Sequence, residues 1–350
     1  MENRQKKWWM PDLYMKNNDK RMYRICVIHE IRRFFEHEGF AEVETPALQI
    51  SPGLEVHLKA FETALYDPLD NCYAKYYLHT SPEFTMKKLL AAGLPRIFQM
   101  AKVYRNEAKS QTHHPEFTML EWYRAHATYE QMMDDTERLV KCCTKACKAD
   151  LLRRGDRRAD PFQPWQRLTV QEAFLKYTGI DVMQTIPAEP TMEPDPALLR
   201  AEAEKIGIQC SDCDRWEDIF FRIMLNCVED KLGDDVPVIL YDYPTCLGAL
   251  ARKKPTDPRV VERFEVYICG LELCNAFSEL TDVAEQRQRF EYDMAMKEKL
   301  YAERYPLDED FLEALSYMPD CAGNAVGVDR LVMLITGAES IEDVLWAPVA

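Results

Sequence analysis

The chain has 350 residues, 47% of them hydrophobic, enough for one large domain or two ordinary ones with a sizeable core. Lysine and arginine number 44 against 59 acidic residues, a net charge of −15, which disfavours tight sequence-independent binding to nucleic acid outside a local basic groove. No apolar run approaches a membrane span and the start, Met1 to Trp9, lacks the apolar core of a signal peptide, so the cytoplasm is expected and the 12 cysteines are read as thiols. Cys210 and Cys213 form the one CxxC, weak support for zinc, while Cys142, Cys143 and Cys147 fall on one helix face.

In chain order, residues 1–20 mix charge and aromatics without a clear period and read as an N-terminal arm, taken as 1–21. Between 22 and 38, Val27, Ile28, Ile31, Phe34 and Phe35 fall at helical spacing, and Gly39 supplies a stop. Residues 40–46 alternate like a strand and end at Pro46, as an edge or interface strand does. Short β-prone runs between 55 and 80, broken at Asp67-Pro68 and Asp70-Asn71, predict hairpins. Ser81 can cap a helix whose first turn carries Glu83, which is then either a helix-start carboxylate or a ligand for an amine.

A strand over 97–104 leads to Arg105, Asn106 and Glu107, a polar loop with His113 and His114, and a return strand through Phe117, Glu121 and Tyr123. Strand alternation puts Arg105 and Glu107 on one face. The planar, permanently charged fork of an arginine suits phosphate oxygens, which makes this hairpin a candidate nucleotide site; the competing reading is an ordinary charged hairpin.

Residues 129–154 have a helical pattern, with Met132, Met133, Leu139, Val140 and Cys143 on one side. A charged connection over 156–164 precedes Thr169-Val170-Gln171-Glu172, which has the form of a capping box opening a helix that stops near Gly179. Prolines 187, 190, 194 and 196 mark a surface loop, and 150–235 as a whole reads as a mainly helical insertion. Strands return with 236–243 and then 262–280, where Glu265, Glu272 and Glu279 punctuate apolar sequence. Buried, unpaired carboxylates are costly, so these glutamates face either magnesium or a cationic substrate, or ion pairs with arginines such as Arg263. Glu265 and Glu272 are seven apart and would oppose one another in an unbroken strand; a turn or bulge at Gly270 can bring both to one site. Finally Gly323 and Gly327 allow close backbone approach, and Arg330 lies near a helix start where it can face a phosphate.

Residues 39–46, Arg105-Asn106-Glu107 through Phe117, and Gly327-Val328-Asp329-Arg330 resemble, in order, motifs 1, 2 and 3 of the class II aminoacyl-tRNA synthetases, most closely the lysyl branch, over about residues 22–340. The resemblance implies an α+β catalytic fold over 22–350, a mostly antiparallel sheet flanked by helices, and a homodimer formed through motif 1. It implies ATP and Mg2+ as cofactors. Arg105 would hold the α-phosphate and Arg330 the γ-phosphate, as the catalytic arginines, with Glu107, His113 and Gly327 beside the nucleotide and Phe117 stacked on adenine. Glu265 and Glu272 match magnesium carboxylates, and Glu83, Glu121, Tyr123, Asn275, Phe277 and Glu279 match the amino-acid pocket.

Two departures point to a narrower family. Lysyl-tRNA synthetases carry an anticodon-reading OB domain before motif 1, whereas only about twenty residues precede that helix here, too few for a domain. Ala325 stands where they have glycine, and one added methyl on the pocket floor is worth roughly 1–3 kcal/mol in choosing a lysine isomer. His114 replaces a usual asparagine. With the run at 114–124 and Met318-Pro319-Asp320-Cys321, these features are similar to the elongation factor P β-lysine ligases, paralogues of lysyl-tRNA synthetase. That similarity implies adenylation of lysine or (R)-β-lysine and transfer to a lysine of elongation factor P, with no stable tRNA binding. The alternatives are a minimal lysyl-tRNA synthetase and a non-catalytic regulatory paralogue, the latter disfavoured because Arg105, Arg330, Glu265 and Glu272 are all present.

Overall fold

The computed structural model describes residues 7–69 and 71–349, without the side chain of Tyr73. The chain opens with helices α1 (Pro11–Lys16) and α2 (Asn18–His37), two-residue strands β1 (Ala41–Glu42) and β2 (Leu48–Gln49), and a hairpin of β3 (Phe61–Tyr66) and β4 (Cys72–Leu78). Helix α3 (Glu83–Ala91) leads to a long hairpin, β5 (Arg96–Tyr104) and β6 (Glu116–Ala125), followed by α4 (Tyr129–Ala146). Next come β7 (Leu152–Arg154), β8 (Arg157–Ala159), β9 (Gln166–Thr169), α5 (Val170–Thr178), α6 (Ala197–Lys205) and α7 (Trp216–Ile223). The last third holds β10 (Val238–Pro244), β11 (Lys253–Lys254), β12 (Asp257–Ile268), β13 (Leu271–Ser278), α8 (Val283–Tyr301), α9 (Glu309–Leu315), β14 (Cys321–Gly327) and α10 (Val328–Thr336).

The main sheet runs β1-β5-β6-β14-β13-β12-β10-β9, with β11 on β12. Only its two ends are parallel, β1 on β5 and β9 on β10; the interior is antiparallel, as the α+β reading expects. Helices α2, α4 and α10 cover one face, where Phe35 stacks on Phe98 at 4.7 Å and packs against Phe40 and Trp122. Helices α3, α8 and α9 enclose another core with Phe84, Phe290 and Phe311. A further core, built on Phe174, Trp216 and Phe220, joins α5 and α7 to β10 and β12. The site lies where the middle strands of the sheet meet the α3 side.

Several expectations need correction. The arm over 1–21 is largely helical where it is described: α1 starts at Pro11 and α2 at Asn18, while residues 1–6 lie outside the described residues. The inner face of α2 begins with arginines rather than apolar residues, which hid its first turn from a hydrophobic period. Arg21 is buried, stacks on Tyr14 and donates to the Leu345 carbonyl at 3.0 Å. The helix expected over 129–154 stops at Ala146, and Leu152–Arg154 pairs instead with Arg157–Ala159. The region 150–235 is therefore not only helical, since β9 also extends the main sheet beside β10. The capping box at Thr169 and the left-handed stop at Gly179 are as read from the sequence.

A buried ion pair ties three of these elements together. Arg24 of α2 pairs with Asp329 of α10 and donates to Thr118 Oγ1 of β6 at 2.8 Å, while the Thr118 N–H donates to Asp329 Oδ2 at 2.6 Å. The two side chains are 4% and 1% exposed, so loss of one partner strands a buried charge. Arg24→Met should cost about 3–5 kcal/mol in denaturant unfolding; a loss below about 1 kcal/mol would show that the pair contributes little beyond its own desolvation cost.

Candidate active site

Strand β5 ends at Tyr104, so Arg105 and Glu107 belong to loop 105–115 and not to an alternating strand face. The loop's backbone places them: Arg105 N–H donates to Pro115 O at 2.9 Å, Asn106 N–H to Lys59 O at 2.8 Å, and Ser110 N–H to His113 O at 3.1 Å. The Arg105 guanidinium lies 5.2 Å from the centre of the Phe117 ring, and its Nε is buried without a hydrogen-bond partner among the described residues. An arginine held on an aromatic face with an unused donor is ready for an anion.

Across the cavity, Arg330 projects from the first turn of α10. It donates to the Glu272 carbonyl at 2.7 Å and to His113 Nε2 at 2.9 Å, which requires a neutral ring accepting at that nitrogen. Burial, then Arg330, holds His113 below its ordinary pKa, in keeping with that role. His114 sits apart from this exchange. Its Nδ1 faces Glu116 O at 2.6 Å and its Nε2 accepts from Val349 N–H at 3.1 Å, so the substitution at this position ties the loop to the C-terminal segment.

The β12–β13 hairpin brings Glu265 and Glu272 together through a bulge rather than by the Gly270 turn alone. Glu265 pairs with Asn275 and Val266 with Cys274, but Tyr267 pairs with Glu272, so Leu273 is the extra residue and Glu272 moves to the face of Glu265. Glu265 accepts from Tyr243 at 2.5 Å, Tyr267 at 2.7 Å and Arg263 at 2.5 Å. For this glutamate the arginine ion pair weighed from the sequence is present. Glu272 keeps a 38% exposed carboxylate, 3.6 Å from Arg330. Burial and then the two glutamates push Glu229 up to about 7, marking it as a third acidic side chain at this end. No group of three or more ligating side chains gathers tightly enough among the described residues to hold a metal unaided.

The other end of the cavity is a cluster of buried carboxylates around one lysine. The cap residue of α3 is Pro82 and not Ser81, yet Ser81 Oγ still accepts from Glu83 N–H at 3.0 Å and donates to Glu121 Oε1 at 2.5 Å, so one hydroxyl serves the helix start and a pocket residue. Tyr123 donates to Glu121 Oε2 at 3.0 Å. Lys87, one turn beyond Glu83 on α3 and 1% exposed, pairs with Glu83 and with Glu279, whose Oε2 lies 2.5 Å from its ammonium. Burial pulls the Lys87 ammonium down, yet Glu279 and Glu83 outweigh it and the net shift is upward. Oε1 of Glu279, a fully buried residue that lines the cavity, has no hydrogen-bond partner among the described residues. Gly323 makes room for this arrangement, because a Cβ there would lie 2.3 Å from Tyr123 and 2.7 Å from Glu279 Oε1. At Gly327 a Cβ would meet only ordinary contacts, so close approach is needed at the first glycine alone.

One cavity of about 350 Å³ is lined by all the residues singled out from the sequence: Arg105, Glu107, His113, Phe117, Glu265, Glu272, Gly327 and Arg330 toward the loop, and Glu83, Glu121, Tyr123, Asn275, Phe277, Glu279 and Ala325 toward α3. Sequence reasoning missed Lys87, Glu55, Glu229, Tyr243 and Tyr267. Lys87 had a usable signal, four residues after Glu83 on a helix. Glu55 had none beyond an acidic residue shortly after a glycine.

The sequence matches the family described as tRNA synthetases class II (D, K and N) over residues 2–349. It is 38% identical over 340 residues to the elongation factor P (R)-beta-lysine ligase of Salmonella typhi, with 96% of each chain covered. The protein of that name from Yersinia enterocolitica is 38% identical over 344 residues, with 97% of each chain covered.

The carboxylate cluster gives stability a pH dependence. Burial, then Glu83, pushes Glu121 up to about 8, and burial pushes Glu279 to about 8 despite Lys87. A carboxyl whose folded pKa exceeds its unfolded value binds more protons in the native state, so its contribution is present at low pH and lost as the pH rises toward 8. Glu121→Gln removes the proton linkage at one site. The melting temperature of this variant, relative to the parent, should rise between about pH 5.5 and about pH 8.5; a constant difference would place the Glu121 pKa in the ordinary range.

Proposed function

The chain belongs to the tRNA synthetases of class II (D, K and N), and we propose that it is an ATP-dependent ligase that activates (R)-β-lysine or lysine as an adenylate and transfers it to a lysine ε-amine of elongation factor P. The observation that carries this reading is the division of one cavity into a loop end with two arginines and an α3 end with Glu83, Glu121 and Glu279. A diamino acid presents two ammonium groups, for which clustered buried carboxylates are the complement. The names of the relatives above supply the acceptor.

In this reading the substrate carboxylate attacks the α-phosphorus in line and pyrophosphate leaves; Arg105 steadies the α-phosphate and Arg330 the γ-phosphate. Phe117 offers a stacking face for adenine, with Glu107, His113 and Gly327 beside it. The ε-amine of the acceptor then attacks the adenylate carbonyl, losing a proton as AMP leaves and the amide forms. Glu121, Tyr123, Asn275, Phe277 and Glu279 position the amino acid, and the Ala325 methyl trims its pocket on β14, where Ala325 lies beside both Asn275 and Glu121. Glu272, with its partly exposed carboxylate, is suited to Mg2+ beside the phosphates, while Glu265, held by Arg263, Tyr243 and Tyr267, would join it only by sharing an oxygen already hydrogen-bonded. Such a cation would supply neutralisation of phosphate charge.

The acceptor is read as protein and not tRNA, and the protein as a homodimer through α2 and β1; no helix among the described residues is long and apolar enough to cross a membrane. Pyrophosphate exchange with (R)-β-lysine, (S)-β-lysine and α-lysine, followed by offering elongation factor P and lysine tRNA, tests the whole reading. Exchange with a lysine isomer and label on the factor are expected; charged tRNA with unmodified factor would overturn the choice of acceptor. Arg105→Ala should lower exchange by about 100-fold or more while shifting the amino-acid KM little. For the amino acid, kcat/KM should climb between about pH 6.5 and about pH 8.5, as Glu121 and Glu279 give up protons that compete with the substrate ammonium.

A further inference from the structure

Glu55 precedes β3 on a loop that the fold holds firmly. Lys297 of α8, itself fully buried, spends its ammonium on the loop backbone, donating to the carbonyls of Val56 at 3.0 Å and Leu58 at 2.5 Å, with that of Glu55 at 3.5 Å. The nearby Thr80 hydroxyl is likewise committed, donating to Pro52 O at 2.6 Å. The Glu55 carboxylate folds back over Gly53, where a Cβ would lie 2.8 Å from Oε2, and that oxygen is shielded from solvent with no hydrogen-bond partner among the described residues. Glu55 as a residue lines the same cavity as Glu83 and Arg105, and with Gly53, Thr80, Ser81 and Glu83 it also lines a small cleft beside that cavity. A buried, unpartnered acceptor oxygen on a side chain that lines a cavity is costly unless a donor reaches that carboxylate.

The order of charges along the wall says which donor. The charges acting on Glu55 are Glu83, Arg105 and, from behind the loop, Lys297, whereas those on Glu121 and Glu279 include Glu83 and Lys87, and for Glu279 also Glu121. Glu55 therefore sits toward the arginine end of the acidic cluster, where the substrate carboxylate must lie to reach the α-phosphate. We infer that Glu55 binds the amino group nearest the reacting carboxylate of the diamino acid, leaving the distal ammonium to Glu121, Tyr123 and Glu279. This rests on reading the cavity as a diamino-acid site. It makes Glu55 a specificity-determining residue, because moving that amino group by one carbon, from the α to the β position, changes its distance to a fixed carboxylate.

The test is pyrophosphate exchange by the full chain with its best lysine isomer, together with inhibition by 6-aminohexanoate, which lacks the amino group beside the carboxylate. Glu55→Gln should raise the KM for the lysine isomer about ten- to hundredfold, with the KM for ATP and the inhibition constant of 6-aminohexanoate each changed less than about twofold. Glu55→Asp, which keeps the charge but withdraws it by one carbon, should fall between the two. Removal of an unpartnered buried carboxylate should not lower the melting temperature, so poor folding is not the expected cause of the loss. An unchanged lysine KM in Glu55→Gln, or equal losses for lysine and 6-aminohexanoate, would overturn the assignment while leaving the proposed function intact. No exchange with any lysine isomer by the parent enzyme would overturn both.

Discussion

Four glutamates, Glu55, Glu83, Glu121 and Glu279, share one end of a cavity, with Lys87 buried behind its wall and paired with Glu83 and Glu279. Desolvation at such a place costs several kcal/mol per uncompensated charge. The surroundings are arranged around that cost. Ser81 and Tyr123 donate to Glu121, Lys87 spans Glu83 and Glu279, and Gly323 gives up its side chain so that Tyr123 and Glu279 can approach β14. What remains uncompensated among the described residues, above all Oε1 of Glu279 and Oε2 of Glu55, belongs to side chains that line the cavity and calls for a cationic ligand.

The opposite end has the complementary character. Arg105 rests on Phe117, Arg330 is anchored to the Glu272 carbonyl and His113, and the bulge at Leu273 swings Glu272 onto the face of Glu265. Because β6, β14 and β13 are neighbours in one antiparallel sheet, both ends are mounted on the same rigid strands. An anionic triphosphate and a diammonium acid can then meet between them, with the reacting carboxylate at the junction.

Much of this was legible in the sequence, for particular reasons. The arginines and glutamates stood at glycines and turns in otherwise apolar strands, and their order resembled known motifs, so the residues of both ends could be named. What escaped depended on pairing that sequence period does not carry. The first turn of α2 hides its inner face behind Arg21 and Arg24, which bury their charge on Leu345, Tyr14, Thr118 and Asp329. Strands β7 and β8 are three residues each, too short for alternation to register. Arg105 and Glu107 share a cavity because of loop hydrogen bonds and not through strand alternation, since β5 ends at Tyr104. Lys87 was legible from its spacing to Glu83, whereas the role argued for Glu55 needed the folded loop and the position of Lys297.

At neutral pH the acidic cluster holds protons that a diammonium ligand displaces. Calorimetric titration with the activated lysine isomer at about pH 7, repeated in buffers of different ionisation enthalpy, measures this directly. The expected result is release of about one to two protons per ligand bound, drawn from Glu121 and Glu279, each pushed up to about 8. Binding heat that does not depend on the buffer would contradict it.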